Sequence, residues 1–267
     1  MKKILFILVV IISCTLFSCT SSMNFRYKDS DKYQIGEASF EASTVKKIKI
    51  EWAGTDTIIQ SYDGEVIHIY EDLDEGTTEK YQLHYYLNND TLYVEPCESL
   101  LFPQFNFKLK VLHVELPNTM DISNLELFDL ELVSTKGSVD GVKADKIDID
   151  SVSGAITLNN LTANNIDIDS VSGTVSINTV NSDVLDVEAV SGSITLTNIN
   201  AKTDVEAVSG EITININSDS SFQIKLETTS GEIENEFDSL NQGDNPVTFK
   251  IKTVSGNVKI HKIIIGG

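Results

Sequence analysis

Apolar and polar residues alternate strictly in the second half of the chain, and the alternation restarts at short intervals. The octapeptide IDIDSVSG occurs at Ile147–Gly154 and again nineteen residues later at Ile166–Gly173. Four further copies and a degenerate first copy keep the same register, at Leu185–Gly192, Thr203–Gly210, Ile224–Gly231, Phe249–Gly256 and Leu130–Gly137. Period-two alternation predicts strands with one buried face, and the repetition predicts one structural unit for each copy.

Each copy predicts one coil of a β-solenoid. An alternating arm precedes the Ser-Gly step, a second arm such as Ala155–Leu158 follows it, and a third short arm such as Leu161–Ala163 leads into the next copy. Glycine at the step allows a corner, whereas a meander of hairpins would need Asn-Gly or Asp-Gly turns. We therefore predict an all-β protein, with a single-stranded parallel β-solenoid of about seven regular coils over residues 126–267.

Stacking of the coils about 4.8 Å apart predicts columns of equivalent residues. The serines of the Ser-Gly steps form one column in chain order, which contains Ser153, Ser172, Ser191, Ser209, Ser230 and Ser255. Two acidic columns lie on the outer face. The first contains Asp148, Asp167, Asp186 and Asp204, and the second contains Asp150, Asp169, Glu188, Glu206 and Glu227.

The acidic columns admit two interpretations. A divalent cation would relieve the repulsion between stacked carboxylates, and oxygen ligands suit Ca²⁺. The weak candidate ligands are Asp148, Asp150, Asp167, Asp169, Asp186 and Glu188. The spacing does not match the calcium-binding nonapeptide, and a flat face lacks six converging oxygens. The favoured interpretation is a solvated acidic face that keeps the protein soluble, with no resident cofactor and calcium as the alternative.

The charge and the N-terminus restrict the partners and the location. The chain has 20 basic and 40 acidic residues, so a nucleic-acid partner is excluded, because a phosphate backbone needs a basic face. Two lysines precede an apolar run from Ile4 to Phe17, which predicts a secretory signal peptide over residues 1–18 and is too short for a membrane span. Its removal takes away two lysines and no acids, so the net charge falls from −20 to −22.

The signal peptide ends in LFSC at Leu16–Cys19, which resembles the lipobox of bacterial lipoproteins. The resemblance implies cleavage before Cys19 and a lipid on its thiol, so that the membrane becomes a partner through the N-terminal anchor. Cys14 in IISC is a second candidate, and an unlipidated signal peptide is a third interpretation. Residues 19–32 are polar and predict a tether between the lipid and the fold. The protein is thus expected outside the cytoplasm, on the cell envelope.

Residues 33–125 predict an antiparallel-rich β region that begins and caps the stack. They contain an Ile-x-Ile-x-Trp strand at Ile48–Trp52 followed by Gly54, and a strand that ends in V-x-L-P at Val114–Pro117. Together with the Ser-Gly coils, this order over residues 33–267 resembles the bacterial "putative adhesin" domain of unknown function, related to the toast-rack and head-GIN solenoids. The resemblance implies one adhesin-like β-solenoid domain on the envelope and implies no catalytic residues.

The sequence carries no recognisable catalytic motif. The four histidines lack metal-ligand spacing, and no nucleophile elbow, P-loop or dinucleotide fingerprint is present. After cleavage before Cys19 and lipidation of its thiol, Cys97 is the one free thiol candidate, and it is interpreted as a small packed residue. We therefore predict a non-catalytic binding or scaffold module for an envelope or surface protein or a glycan. The alternative is an accessory protein of an envelope-stress or membrane-regulator system, and a carbohydrate-active enzyme is least favoured.

Overall fold

The computed structural model describes residues 29–98, 109–133 and 135–264. The predicted signal peptide, Cys19 and most of the tether lie outside the described residues. Three short 3-10 helices lie at Ser30–Lys32, Ala42–Thr44 and Glu79–Tyr81, and all strands join one continuous hydrogen-bonded sheet. In the part of the chain described, no helix is long and apolar enough to cross a membrane.

The described chain contains twenty strands. The first ten are β1 (Gln34–Ile35), β2 (Ala38–Glu41), β3 (Lys47–Trp52), β4 (Asp56–Tyr62), β5 (Val66–Leu73), β6 (His84–Asn88), β7 (Thr91–Glu95), β8 (Lys110–Pro117), β9 (Leu127–Leu132) and β10 (Lys136–Asp140). The others are β11 (Lys146–Ser151), β12 (Ile156–Ser172), β13 (Val175–Ser191), β14 (Ile194–Ser209), β15 (Ile212–Asn217), β16 (Phe222–Thr228), β17 (Ile233–Asn235), β18 (Asn241–Gln242), β19 (Val247–Ser255) and β20 (Val258–Ile263).

The repeat copies form parallel coils, as the alternation predicts. We call the arm before each Ser-Gly step face A, the arm after it face B, and the third arm face C. Ile147 of β11 lies beside Ile166 of β12 and Leu185 of β13, and the outward aspartates follow the same register. Strands β12, β13 and β14 each run through faces B, C and A, and they bend at Asn160, Thr179 and Asn198, whose φ angles are 54° to 61°.

The core is a set of apolar columns inside the coils. Ile149, Ile168, Val187 and Val205 are fully buried on face A, and Leu158, Ile177 and Leu196 oppose them from face B. Each such side chain contributes about 1.5–3 kcal/mol on burial. The outward positions between them are polar, so the sheet separates core from solvent along the whole stack.

The prediction that the coils stack in chain order is wrong at the C-terminal end. Strand β19 pairs in parallel with β14 on one side and β16 on the other, and β20 lies between β15 and β17. The serine column therefore runs from Ser209 to Ser255 and then to Ser230, whose Oγ donates to the Val254 carbonyl. The last coil of the sequence is inserted between the two coils that precede it.

The inserted order places unlike charges together. Lys252 of β19 lies between Glu206 of β14 and Glu227 of β16, so the predicted contact between these two glutamates does not form. Stacking in chain order would have put the two carboxylates side by side, where like charges repel.

The region before the repeats is both a cap and part of the stack. Strands β3 and β4 pair in parallel with β9 and β10 on one side and with β7 and β8 on the other, which adds two layers to the predicted seven coils. The expected antiparallel pairs also form, between β1 and β6, β2 and β5, β5 and β8, and β6 and β7. The division at residue 125 stays a prediction, although β3 pairs with β9 across it.

Candidate functional site

The predicted acidic columns lie on the outward side of face A, but the prediction of a fully solvated face is wrong at Asp169, which is 7% exposed. Asp129, Asp148, Asp167, Asp186 and Asp204 follow one another in the first column, and Glu131, Asp150, Asp169, Glu188 and Glu206 follow one another in the second. We call these ten residues the carboxylate ladder. The first pair, Asp129 and Glu131 from β9, is absent from the predicted columns because the register predicted for the copy Leu130–Gly137 is wrong by two residues. Leu130 lies beside Ile149 and Gly137 lies beside Ile156, so Thr135 takes the corner position next to Gly154.

Lysines close the ladder at both ends. Lys49 Nζ donates to Asp129 Oδ2 at 2.5 Å, and at the far end Lys252 Nζ donates to Glu206 Oε1 at 2.8 Å. Lys250 contacts Asp204, and Lys146 contacts Asp148 from within its own strand. Lys49, Lys250 and Lys252 are thus located where the coils with acids meet coils of different sequence, whereas Lys146 lies within the ladder.

Burial and mutual repulsion raise the pKa of several carboxyls in the second column. Burial raises the pKa of Glu131 to about 7, with Glu51 as the largest charged contributor. Burial, followed by the charges of Asp148 and Glu131, raises the pKa of Asp150 to about 7. Glu95, at the end of β7, is 5% exposed, and burial beside Glu51 raises its pKa to about 9. These groups bind protons more tightly in the folded chain than in the unfolded chain.

The ladder does not form a calcium-binding arrangement. Within residues 29–98, 109–133 and 135–264, no group of three or more His, Cys, Asp or Glu side chains is placed to hold a metal ion. The six weak candidates stand side by side on neighbouring rungs of a flat sheet, whereas Ca²⁺ needs six to eight oxygens around one point. The geometry gives the calcium hypothesis no support, and it stays a prediction.

Three of the four histidines contact carboxylates on the sheet surface, whereas His84 is 3% exposed and its Nδ1 lies 2.8 Å from the Gln82 carbonyl oxygen. His68 Nε2 lies 2.9 Å from Glu37 Oε1, and His113 Nε2 lies 3.0 Å from Asp72 Oδ2. His261 likewise lies 3.1 Å from Glu236. Cys97 is 2% exposed, consistent with a packed residue. These contacts link neighbouring strands and segments of the sheet.

Face C carries a groove of about 550 Å³ that the sequence reading did not predict. We call it the amide groove; the residues used to define it are Thr162, Asn164, Asn181, Asn200, Lys202 and Asn245. Its floor is formed by the small side chains of Ala163, Ser182 and Ala201. An adjoining cavity of about 240 Å³ shares Asn200 and Val247 with it and extends past Asn215 and Asn217.

The groove forms where the third arm of the coil ends. Thr162, Asn181 and Asn200 stack outward on three successive coils. The next coil has no third arm, because β15 ends at Asn217 and the chain turns directly into β16. The segment between β18 and β19 lines the groove there instead, and Asn245 in it adopts a φ of 51°.

The groove is rich in amides and nearly neutral in charge. Asn200 Nδ2 donates to Asn181 Oδ1 at 2.8 Å, and Asn164 Nδ2 donates to Asp145 Oδ1 at 2.6 Å, which orients these side chains. The residues of its lining that the structure describes include one acid, Asp183, and one base, Lys202. The pairing of β13 with β14 shifts register between Asn181 and Val184, so a bulge lies inside the groove. Bulges are frequent beside binding sites.

A signal for the groove is present in the sequence, in the third arms. They read NNLTANN, NTVNS and TNIN, with asparagine on both sides of one or two apolar residues. The wall formed by residues 245–248 depends on contacts with distant coils, and the local pattern does not indicate it.

The fold defines a nearly all-β, curled-sheet solenoid protein. The chain belongs to the family described as Toastrack DUF4097, whose model matches residues 45–262. No curated protein matches it significantly.

Solved structures resemble the chain in fold. A protein described as a "putative adhesin" from Parabacteroides distasonis is 11% identical with a TM-score of 0.50, over 85% of this chain and 97% of that one. Another "putative adhesin", from Bacteroides fragilis, is 14% identical with a TM-score of 0.47, over 85% and 97%. A "putative lipid binding protein" from Parabacteroides distasonis is 12% identical with a TM-score of 0.47, over 86% and 97%. At such identities the similarity concerns the fold alone.

Proposed function

We propose that this protein is a cell-envelope lipoprotein whose solenoid is a non-catalytic binding module, and that the amide groove is its binding site. The observation that carries the proposal is the groove itself. Its volume of about 550 Å³ lies within the range of ligand sites, roughly 300–1,000 Å³. The groove lies where the third arm of the coil is missing after β15, so its surface differs from the surface that the other coils repeat.

The composition of the groove supports ligand binding without catalysis. Among the described residues that line it there is one carboxylate, one ammonium group, and neither histidine nor cysteine. General acid–base or nucleophilic catalysis needs a proton-transferring group within hydrogen-bond reach of a nucleophile. The asparagine, serine and threonine side chains in the groove hold neutral donors and acceptors, which suit recognition.

The lipid anchor of the proposal rests on the LFSC tetrad and is tested by labelling. Cells that express the wild-type chain should incorporate labelled palmitate, and the Cys19→Ala variant should not, while Cys14→Ala should label normally. Labelling that persists in Cys19→Ala would refute the assignment to Cys19. The negative charge of the fold opposes contact with anionic headgroups, so the tether would hold the groove away from the bilayer.

The binding role is tested by crosslinking in intact cells with a matched pair of variants. Asn181→Trp places a large ring in the groove, whereas Asn178→Trp places the same ring on face B of the same strand, and both positions are exposed. We expect the partners crosslinked by the wild type to be kept by Asn178→Trp and lost by Asn181→Trp. Equal recovery of partners with both variants would contradict the groove as the binding site.

A further inference from the structure

We infer that the amide groove binds an uncharged oligosaccharide. The inference rests on the proposed binding role of the groove and adds the chemical class of its ligand. It is carried by the groove's polar groups, its charge, its length and its apolar borders.

The polar groups of the groove match those of a sugar. An asparagine amide both donates and accepts hydrogen bonds, as does a threonine hydroxyl, and every sugar hydroxyl also does both. The bond from Asn200 to Asn181 uses one N–H and one lone pair, so most of the capacity of the two side chains remains for a ligand. The same bond holds the two amides in a fixed orientation, which lowers the entropy lost on binding.

The charge of the groove favours a neutral ligand. The chain as a whole carries a net charge of −20, and the carboxylate ladder covers face A, while Asp183 and Lys202 are the only charged groups among the described residues that line the groove. An anionic ligand would approach a strongly negative protein and meet a single lysine, and a cationic ligand would be attracted to the ladder instead.

The length of the groove favours a chain of several sugars over one. Thr162, Asn181 and Asn200 recur once per coil, about 4.8 Å apart, which is comparable to the length of one pyranose ring. Beyond Asn200 the adjoining cavity continues with Asn215, whose Nδ2 donates to Thr197 Oγ1 at 2.9 Å. The amides are thus spaced along a line that an extended oligosaccharide would follow.

Apolar side chains at the sides of the groove can contact the C–H faces of sugar rings. Ile122, which is 41% exposed, and the exposed ring of Pro246 both line the groove.

The asparagines could have a structural role instead, because stacked asparagines can stabilise a solenoid by hydrogen bonding along the stack. Asn178 is the control that separates this role from ligand binding. It is exposed on face B of the same coil and lies outside the amide groove.

The experiment uses the full-length protein, purified in detergent, on an array of linear neutral oligosaccharides and anionic polysaccharides, followed by calorimetric titration with the neutral tetra- to hexasaccharides that bind. We expect neutral oligosaccharides to bind and anionic polysaccharides to be rejected. The double variant Asn181→Ala/Asn200→Ala should bind about tenfold to hundredfold more weakly, since two neutral hydrogen bonds are removed. Asn178→Ala should bind like the wild type.

Melting curves establish that each variant is folded, and Asn181→Trp, which fills the groove and keeps Asn200, replaces the double variant if that one unfolds. The inference is overturned if no neutral oligosaccharide binds, if anionic polysaccharides bind instead, or if the folded groove variants bind as tightly as Asn178→Ala. The proposed function is tested separately, and it fails if Asn181→Trp and Asn178→Trp recover the same crosslinked partners. If Asn181→Trp loses a crosslinked protein partner and no oligosaccharide binds, the proposed binding function stands and the oligosaccharide inference fails.

Discussion

Gly173 lies directly over Gly154 in the corner column, so close that a Cβ on Gly173 would stand 1.8 Å from the Gly154 carbonyl oxygen. Gly192 has the same relation to Gly173, at 1.8 Å, and Gly210 has it to Gly192, at 1.9 Å. The φ of Gly173 is +120°, which L side chains rarely adopt. Glycine is therefore required at the corner for two reasons, the backbone conformation and the approach of the next coil.

Replacement of Gly173 by alanine should be strongly destabilising. We expect Gly173→Ala to lower the free energy of unfolding by about 3 kcal/mol or more, because backbone strain is combined with a clash against a carbonyl that cannot move alone. Urea unfolding measures the loss. Gly76→Ala is the matched control, since Gly76 has a φ of +79° with nothing within 4 Å of an added Cβ, and should lose only about 1 kcal/mol. Equal losses would show that the clash has no role.

The repeat predicts each coil but not the order of the coils. The inward residues of β14, β16 and β19 are all apolar or small, so on burial alone any of these arms could lie beside any other. The outward charges distinguish them, and Lys250 and Lys252 fit the acids of β14 better than Lys225 and Glu227 do. Such a comparison needs all arms to be aligned in space, which alternation along the chain does not provide.

The groove could be predicted only in part. The asparagine-rich third arms are visible in the sequence, and alternation places Asn181 and Asn200 outward. The cavity also needs the missing third arm after β15 and the return of residues 245–248, which pack against distant coils. Eight of the ten residues of the carboxylate ladder are predicted from the register of the coils. Asp129 and Glu131 are missed because the register predicted for the first copy is wrong, and Glu227 is wrongly included because the inserted coil separates it from Glu206.

The inserted coil gives a prediction about charge. Lys252→Glu should destabilise the fold, because the new glutamate would stand between Glu206 and Glu227 in the second column. The loss should shrink when salt is added, because these side chains are partly exposed and screening weakens repulsion between them. Urea unfolding at low and high salt measures both effects. Lys225→Glu, at the end of the first column beside Lys250, is the control and should be less destabilising. A Lys252→Glu variant as stable as wild type at low salt would contradict the inserted order.

A second prediction about charge concerns the buried ion pair between Lys110 and Glu71. Lys110 is fully buried, and its Nζ donates to Glu71 Oε2 at 2.6 Å and to the Tyr81 carbonyl at 2.9 Å. Its Nζ also lies 4.6 Å from the centre of the Trp52 ring. Burial lowers the pKa of Lys110 and raises that of Glu71, so each charge depends on the other.

Removal of one partner should therefore be costly. Lys110→Ala leaves the Glu71 carboxylate buried without its cation, and we expect a loss of about 3–5 kcal/mol in the free energy of unfolding. Lys49→Ala removes a lysine that is paired with Asp129 but 40% exposed, and should lose about 1 kcal/mol or less. The double variant Lys110→Met/Glu71→Leu should recover most of the stability, since no buried charge remains. A double variant no more stable than Lys110→Ala would contradict this account.

The raised carboxyl pKa values predict that the fold is more stable at low pH than at high pH within a defined window. Glu131 and Asp150 have folded pKa values of about 7, and Glu95 has one of about 9, all above the ordinary values for carboxyls. The folded chain therefore holds more protons than the unfolded chain between about pH 4.5 and pH 9, so its free energy of unfolding falls as the pH rises through that range. Urea unfolding at pH 5, 7 and 9 measures the slope.

Glu95→Gln isolates the largest contribution to that slope. The amide cannot ionise, so we expect the variant to lose less stability than the wild type between pH 7 and pH 9, and to be the more stable of the two at pH 9. Asp121→Asn is the control, because hydrogen bonds from Ser123 lower the pKa of Asp121, so this carboxyl is ionised in both the folded and the unfolded chain between pH 7 and pH 9 and its replacement should leave the slope unchanged. Parallel slopes for the wild type and Glu95→Gln would show that Glu95 is ionised in the folded protein throughout this range, and would contradict the burial of a protonated carboxyl at the end of the column.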